Sequence, residues 1–157
     1  AFRNTPNIIA MEKQLILVIP AVGQPYEYVL LVYLESGRVL LSSLLSGHKC
    51  ILIDFWASWC GPCIQEMPNL VKTYHTYKAK GLEIVGISVD DDRQAWLNAV
   101  KAHKMNWVQL GDDTKSASSI YGIKTIPHTV LLDKDGVIVA KDLRGKELED
   151  KIAEILQ

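Results

Sequence analysis

Ile51-Leu52-Ile53-Asp54-Phe55-Trp56-Ala57-Ser58-Trp59-Cys60-Gly61-Pro62-Cys63 is the stretch on which the reading of this chain turns. From Ile51 to Ala57 apolar residues fall on both faces of an extended segment, as in a central strand buried between helices. Pro62 then sits near the first turn of a helix, where its missing N–H costs nothing. A strand that delivers a Cys-x-x-Cys pair to the start of a helix is an arrangement used for reversible disulfide chemistry. Only the thiolate attacks a disulfide, and a free thiol with a pKa of about 8.5 is mostly protonated at neutral pH. Cys60, just before the helix, lies near unpaired backbone N–H groups and the positive end of the helix dipole, and both stabilise a thiolate. Cys63, one turn in, is expected to be more buried. Cys60 is therefore read as the exposed nucleophile that forms a mixed disulfide, and Cys63 as the resolving thiol that closes the internal disulfide and releases the partner.

Outward from this stretch the chain alternates strand and helix, which predicts an α/β fold. The helix that carries the cysteines runs to about Lys80, bending at Pro68, with Gly81 as its C-cap. Leu82 to Val89 reads as a strand, and Asp90-Asp91-Asp92 as acidic residues at the N-terminus of a helix from Arg93 to Lys104. Trp96, Leu97 and Val100 lie on that helix at core spacing. Trp107 to Leu110 predicts a short strand, Thr114 to Tyr121 a short helix stopped by Gly122. Pro127 to Asp133 and Val137 to Lys141 form a hairpin around Lys134-Asp135-Gly136, and Glu147 to Leu156 an amphipathic closing helix. Upstream, Tyr28 to Leu34 and Val39 to Leu41 read as a hairpin. Leu15 to Ile19 reads as a strand stopped by Pro20, within an N-terminal extension, residues 1–21, that is partly coil. Residues 22–157 make one domain.

The bulk numbers exclude several classes. The 157 residues are 48% hydrophobic and 22% charged, as in a soluble globular domain. A net charge of −1 makes no electrostatic case for nucleic acid or an acidic membrane surface. No apolar run approaches the roughly 18 residues of a membrane span. No signal-peptide pattern is visible. Three cysteines are too few for a disulfide-stapled scaffold. Cys50, the odd one, reads as a small buried hydrophobe, with a resolving or metal-binding role as the alternative. His48, Cys50, Cys60 and Cys63 formally make a zinc ligand set. The strand between Cys50 and Cys60 would hold them roughly 20 Å apart, so no metal and no cofactor are expected.

The segment Asp54 to Cys63 resembles the active-site segment of thioredoxins. Glu66-Met67-Pro68 after the second cysteine, the helix inserted between Val89 and Gln109, and the stretch Tyr121-Gly122-Ile123-Lys124-Thr125-Ile126-Pro127-His128-Thr129 ending in the Asp133–Gly136 turn are similar to the TlpA/ResA-like branch of that superfamily. The resemblance covers residues 22 to 157. It implies a thioredoxin-like fold: a central mixed sheet flanked by helices, with an N-terminal β-hairpin and an inserted helix. It also implies a cis bond between Ile126 and Pro127, with the backbone of Ile126 offered to a bound peptide as a strand-like partner. Asp54 matches the buried carboxylate behind the resolving cysteine, which can exchange a proton with it. Glu66 matches an acidic residue near the redox pair, on the same helix face as Cys63. Their alternatives are a carboxylate satisfied by backbone and a simple surface charge. Trp59, Gly61 and Pro62 join Ile126 and Pro127 as substrate-binding positions. Trp56 is expected mainly in the core, and Trp96 and Trp107 as packing residues. Two departures stand out. Thioredoxins pair the buried Asp with a Lys, and the aligned position is Gly86. His128 follows the proline where Thr is usual, and a solvent-facing imidazole is expected there.

The function so read is a thiol–disulfide oxidoreductase, with Gly61-Pro62 between the cysteines pointing to a reductant of protein disulfides. The alternatives are a thiol peroxidase of peroxiredoxin type and a redox-silent binding module. Expected partners are protein thiol/disulfide substrates and an upstream thiol electron donor, with no nucleic acid and no membrane span, and a monomeric chain. The resemblance implies an extracytoplasmic setting, bacterial periplasm or cell envelope, with the cytoplasm left open.

Overall fold

A computed structural model of the protein describes residues 22, 30–33, 38–40, 44, 47–112, 115, 118–119 and 122–157. The extension 1–21, the loop of the first hairpin and most of the helix expected at Thr114–Tyr121 lie outside the described residues.

Among those described, the elements run β1 (Leu30–Tyr33), β2 (Arg38–Leu40), β3 (Cys50–Trp56), α1 (Gly61–Tyr77), β4 (Leu82–Ser88), α2 (Arg93–Ala102), β5 (Val108–Gly111), β6 (His128–Asp133), β7 (Ile138–Lys141) and α3 (Gly145–Ile155). The strands form one sheet in the order β2-β1-β5-β4-β3-β6-β7. β3, β4 and β5 are parallel to one another, and the flanking pairs are antiparallel. This is the mixed sheet with helices and an N-terminal hairpin that the resemblance implies.

β3 is central because both of its faces are apolar. All seven of its residues are buried. Leu52 and Trp56 pack with Met67 and Leu70 of α1, Trp96 of α2, and Leu148 and Ile152 of α3. Ile51, Ile53 and Phe55 point the other way, into a cluster with Val85, Ile87, Val130 and Leu132. Side chains alternate across a strand, so one uninterrupted run serves two cores. Each large apolar side chain buried in this way contributes about 1.5–3 kcal/mol.

The ends of α1 fix where the strand's C-terminal edge opens. Cys60 is its N-cap, Pro62 lies in its first turn, and the helix continues through Pro68. A 3-10 turn, Lys78–Lys80, ends on Gly81 at φ +113°. A side chain at Gly81 would meet the Lys49 Cβ at 2.9 Å. The Gly81 carbonyl accepts the N–H groups of Lys49 (3.0 Å) and Cys50 (3.3 Å), tying the end of α1 to the start of β3. α2 stops at Ala102, short of the expected Lys104, where the chain turns through a positive φ of 56°. No helix of the described residues is long and apolar enough to cross a membrane.

Candidate active site

The redox pair lies where β3 hands over to α1. Cys60 and Cys63 are joined in a disulfide, with Cα atoms 5.2 Å apart. The Cys63 N–H donates to the Cys60 sulfur at 3.2 Å, so the sulfur does the work of an N-cap acceptor. The cap position predicts an exposed Cys60. It is 5% exposed against 1% for Cys63, so the order of burial holds but Cys60 is itself buried. The surface around it belongs to Trp59, 69% exposed, and to Gly61 and Pro62, both exposed. Trp56, Trp96 and Trp107 are buried in the core.

Behind the disulfide a cavity of about 10 Å³, near the space of one water molecule, is lined by Asp54, Cys63, Glu66, Pro127, Thr129 and Arg144. Three of the four expected catalytic residues and the proline of the downstream loop thus meet in one place. The Ile126–Pro127 bond is cis. Ile126 is half-buried and also borders a hollow of about 220 Å³ with Val89, Ile123 and Lys124.

Asp54 is 2% exposed, and burial, followed by the nearby Glu66 carboxylate, pushes its pKa up to about 7. Its Oδ2 has no hydrogen-bond partner among the described residues. In the sheet Asp54 lies between Thr129 of β6 and Gly86 of β4. No lysine could replace that glycine without rearrangement. A Cβ on Gly86 would stand 3.0 Å from Gln109 Oε1, 3.2 Å from Trp107 Nε1 and 3.3 Å from Trp56 Nε1. Asp54 is thus a buried carboxylate poised to take up a proton near neutral pH, with no cation opposite it in the sheet.

Glu66 is half-buried and tied to the fold: its Oε1 accepts the Gly145 N–H at 2.8 Å, at the start of α3. His128 does not face solvent. Its side chain is 18% exposed with Nδ1 3.6 Å from Asp142 Oδ1, and burial, set against the Asp142 charge, lowers its pKa. β6 starts at His128, which pairs with Phe55 of β3. The three consecutive carboxylates read as one helix-terminal cluster separate in space. Asp92 caps α2, accepting the N–H groups of Gln94 (2.9 Å) and Ala95 (3.1 Å). Asp91 pairs with Lys115 at 3.3 Å. Asp90 turns back to Ser58, beside the redox pair. Nothing in its sequence neighbourhood separates Asp90 from its two companions, except the serines at 58 and 88.

Comparison with known proteins agrees with this geometry. Residues 19–156 match the Redoxin family. The chain is 31% identical over 124 residues to the thiol-disulfide oxidoreductase ResA of Bacillus thuringiensis subsp. konkukian, covering 79% of this chain and 70% of that protein. The thioredoxin domain of a thiol-disulfide oxidoreductase from Bacteroides vulgatus superposes with a TM-score of 0.80 at 34% identity, over 87% of this chain and 99% of that one. A thiol:disulfide interchange protein from Bacteroides sp. gives a TM-score of 0.78 at 34% identity, over 87% and 91%.

Proposed function

The chain belongs to the Redoxin family, is a TlpA/ResA-like thiol–disulfide oxidoreductase of thioredoxin fold, and from that premise we propose that Cys60 and Cys63 are its redox couple and that it reduces disulfides in protein clients. The observation that carries this reading is the position of the pair. The Cys60 sulfur caps α1 and receives the Cys63 N–H, where a thiolate is favoured by the helix terminus.

The cycle follows from that placement. In the dithiol form the Cys60 thiolate attacks one sulfur of the client disulfide. A mixed disulfide forms, and the client's other sulfur leaves as a thiolate that takes up a proton. Cys63 then loses its proton and attacks the Cys60 sulfur. The Cys60–Cys63 bond forms, the mixed bond breaks, and the client departs as a dithiol, two electrons richer. The proton from Cys63 passes to Asp54 across the shared cavity, and burial, with the Glu66 charge second, holds the Asp54 pKa high enough to receive it. The client lies against Trp59, Gly61 and Pro62, with an extended segment running along the backbone of Ile126 and Pro127. An upstream thiol donor reduces the pair again. Residues 22–157 act as one monomeric unit, in an extracytoplasmic compartment such as the periplasm, as the resemblance to ResA-like proteins implies.

Insulin reduction with dithiothreitol as electron source tests this. Turnover is expected in the wild type and absent in Cys60→Ser; full activity in that variant overturns the mechanism. The potential of the Cys60–Cys63 couple tests the direction. A value below about −200 mV, on the thioredoxin side of the range, fits a reductant, and one near about −120 mV makes the protein an oxidant.

A further inference from the structure

We propose that Asp90 is a positioning residue for the exchange reaction, acting through Ser58 on the turn that presents Cys60. This rests on the thiol–disulfide reading of the site. Between the end of β3 and the start of α1 the chain makes a turn, closed by the Cys60 N–H on the Ala57 carbonyl at 3.1 Å. The N–H of Ser58, second in such a turn, has no partner within it. Asp90 supplies that partner from outside. Its two carboxylate oxygens accept the Ser58 N–H at 3.0 and 3.2 Å, and Oδ1 also accepts the Ser58 hydroxyl at 2.5 Å. Three of the carboxylate's contacts thus fall on one residue, two positions before the nucleophile.

The clamp has a firm base. The Ser88 hydroxyl donates to Asp90 Oδ2 at 2.7 Å and accepts the Asp90 N–H at 2.9 Å, which fixes the carboxylate relative to its own backbone. The Val89 N–H donates to the Trp56 carbonyl at 2.9 Å, so β3 and β4 stay paired up to the mouth of the site. Lys115 Nζ donates to the Val89 carbonyl at 2.8 Å, and the Ser88 carbonyl accepts the Asp112 N–H at 2.9 Å. Hydrogen bonds to a charged acceptor are the stronger kind, and this one holds the middle of a turn whose ends, Ala57 and Cys60, are buried while Trp59 is exposed.

The chemical consequence lies in the cap. The Cys60 sulfur stays over the N-terminus of α1 only while the Ala57–Cys60 turn keeps its shape. Loosening the turn moves the sulfur off the free N–H groups, which weakens thiolate stabilisation and spoils the line of attack. A second effect has the opposite sign. Asp90 carries negative charge near Cys60, and its loss alone would favour the thiolate. The direction of the change therefore distinguishes positioning from simple electrostatics.

The test compares Asp90→Ala, Ser58→Ala, the double variant and the control Asp91→Ala in the whole chain. Asp91→Ala removes the same charge from an exposed neighbour that pairs with Lys115. Two quantities are read: the pH midpoint of Cys60 alkylation by iodoacetamide in the reduced protein, and kcat and KM for insulin reduction. For Asp90→Ala the midpoint is expected to rise and kcat to fall about tenfold, with KM changing less. Ser58→Ala keeps the backbone bond and is expected to lose about threefold in kcat, and the double variant to be no worse than Asp90→Ala. Asp91→Ala is expected to match the wild type. A midpoint that stays or falls, with kcat at the wild-type level, overturns the proposal even where Tm drops. If Asp90→Ala does not fold, Ser58→Ala decides the matter by the same two readings. If the wild type fails to reduce insulin, the functional reading fails, while the alkylation midpoint still decides the role of Asp90.

Discussion

Glu66 accepts the backbone N–H of Gly145 at 2.8 Å across 79 positions of sequence, so the carboxylate one turn past the redox pair is bonded to the first residue of the closing helix. This contact holds the charge beside the cavity that Asp54 and Cys63 share. Glu66→Gln keeps an oxygen for Gly145 and loses the charge. Stability is expected to change by less than about 1 kcal/mol. The Asp54 pKa is expected to fall from about 7, because one of the two causes of its elevation is gone. A carboxyl NMR titration of the oxidised protein reads this directly, and an unmoved Asp54 midpoint refutes it.

The buried carboxylate sets a pH dependence of stability. Asp54 is raised from 3.8 to about 7 on folding. Between those values the folded chain holds a proton that the unfolded chain has released, so its stability falls as pH rises through the window and levels off above it. The slope is at most about 1.4 kcal/mol per pH unit. Asp54→Asn has no such dependence. Its stability relative to the wild type is expected to climb between pH 5 and pH 8 in urea unfolding of the oxidised proteins. Parallel curves for the two would sink the assignment.

Removing the resolving thiol stalls the cycle at its first covalent step. Cys63→Ser is expected to accumulate a client-linked species through Cys60, seen on a non-reducing gel and lost on adding dithiothreitol. Cys60→Ser forms none. A conjugate that also forms in the Cys60 variant would mean that the roles are reversed.

Gly86 is tight against three buried polar atoms, and a Cβ there would come within 3.0 Å of the nearest, Gln109 Oε1. Gly86→Ala is expected to cost about 1–3 kcal/mol through overpacking, a Tm loss of roughly 2–10 °C. Gly86→Lys is expected to cost more, because its ammonium would enter beside two indole N–H donors. Thermal unfolding followed by circular dichroism checks both. An unchanged Tm in Gly86→Ala would show that Gln109 and the indoles can yield.

What could be read in the residues was whatever depends on near neighbours. The run Ile51–Ala57 marked a doubly buried strand, Pro62 and Gly81 marked the two ends of the helical segment, and the Cys-x-x-Cys spacing placed one sulfur at the helix terminus and the other a turn deeper. Contacts made across the fold were not legible. Asp90, Asp91 and Asp92 look alike in sequence, yet only Asp92 caps α2, because the chain leaving β4 at Ser88 turns Asp90 toward the β3–α1 turn. Glu66 looked equally suited to the surface until α3 was laid across it. The burial of His128 depends on the sheet register and on Asp142, whose left-handed backbone (φ 57°) no local pattern announced. Cys60 proved less exposed than its cap position suggested, because it packs into the core cluster beside Ala57 and Cys63.

The disulfide spans a sequence separation of only 3, inside the first turn of one helix. A cross-link restrains an unfolded chain in proportion to the loop it closes, and a ring this small removes little freedom from it. The bond therefore serves poorly as a staple. The architecture rests on the two cores of β3; the two cysteines sit at the edge of one, among Ala57, Met67 and Leu70, and take no part in the other. A cross-link of this span can open and close with little change in the chain entropy that opposes folding.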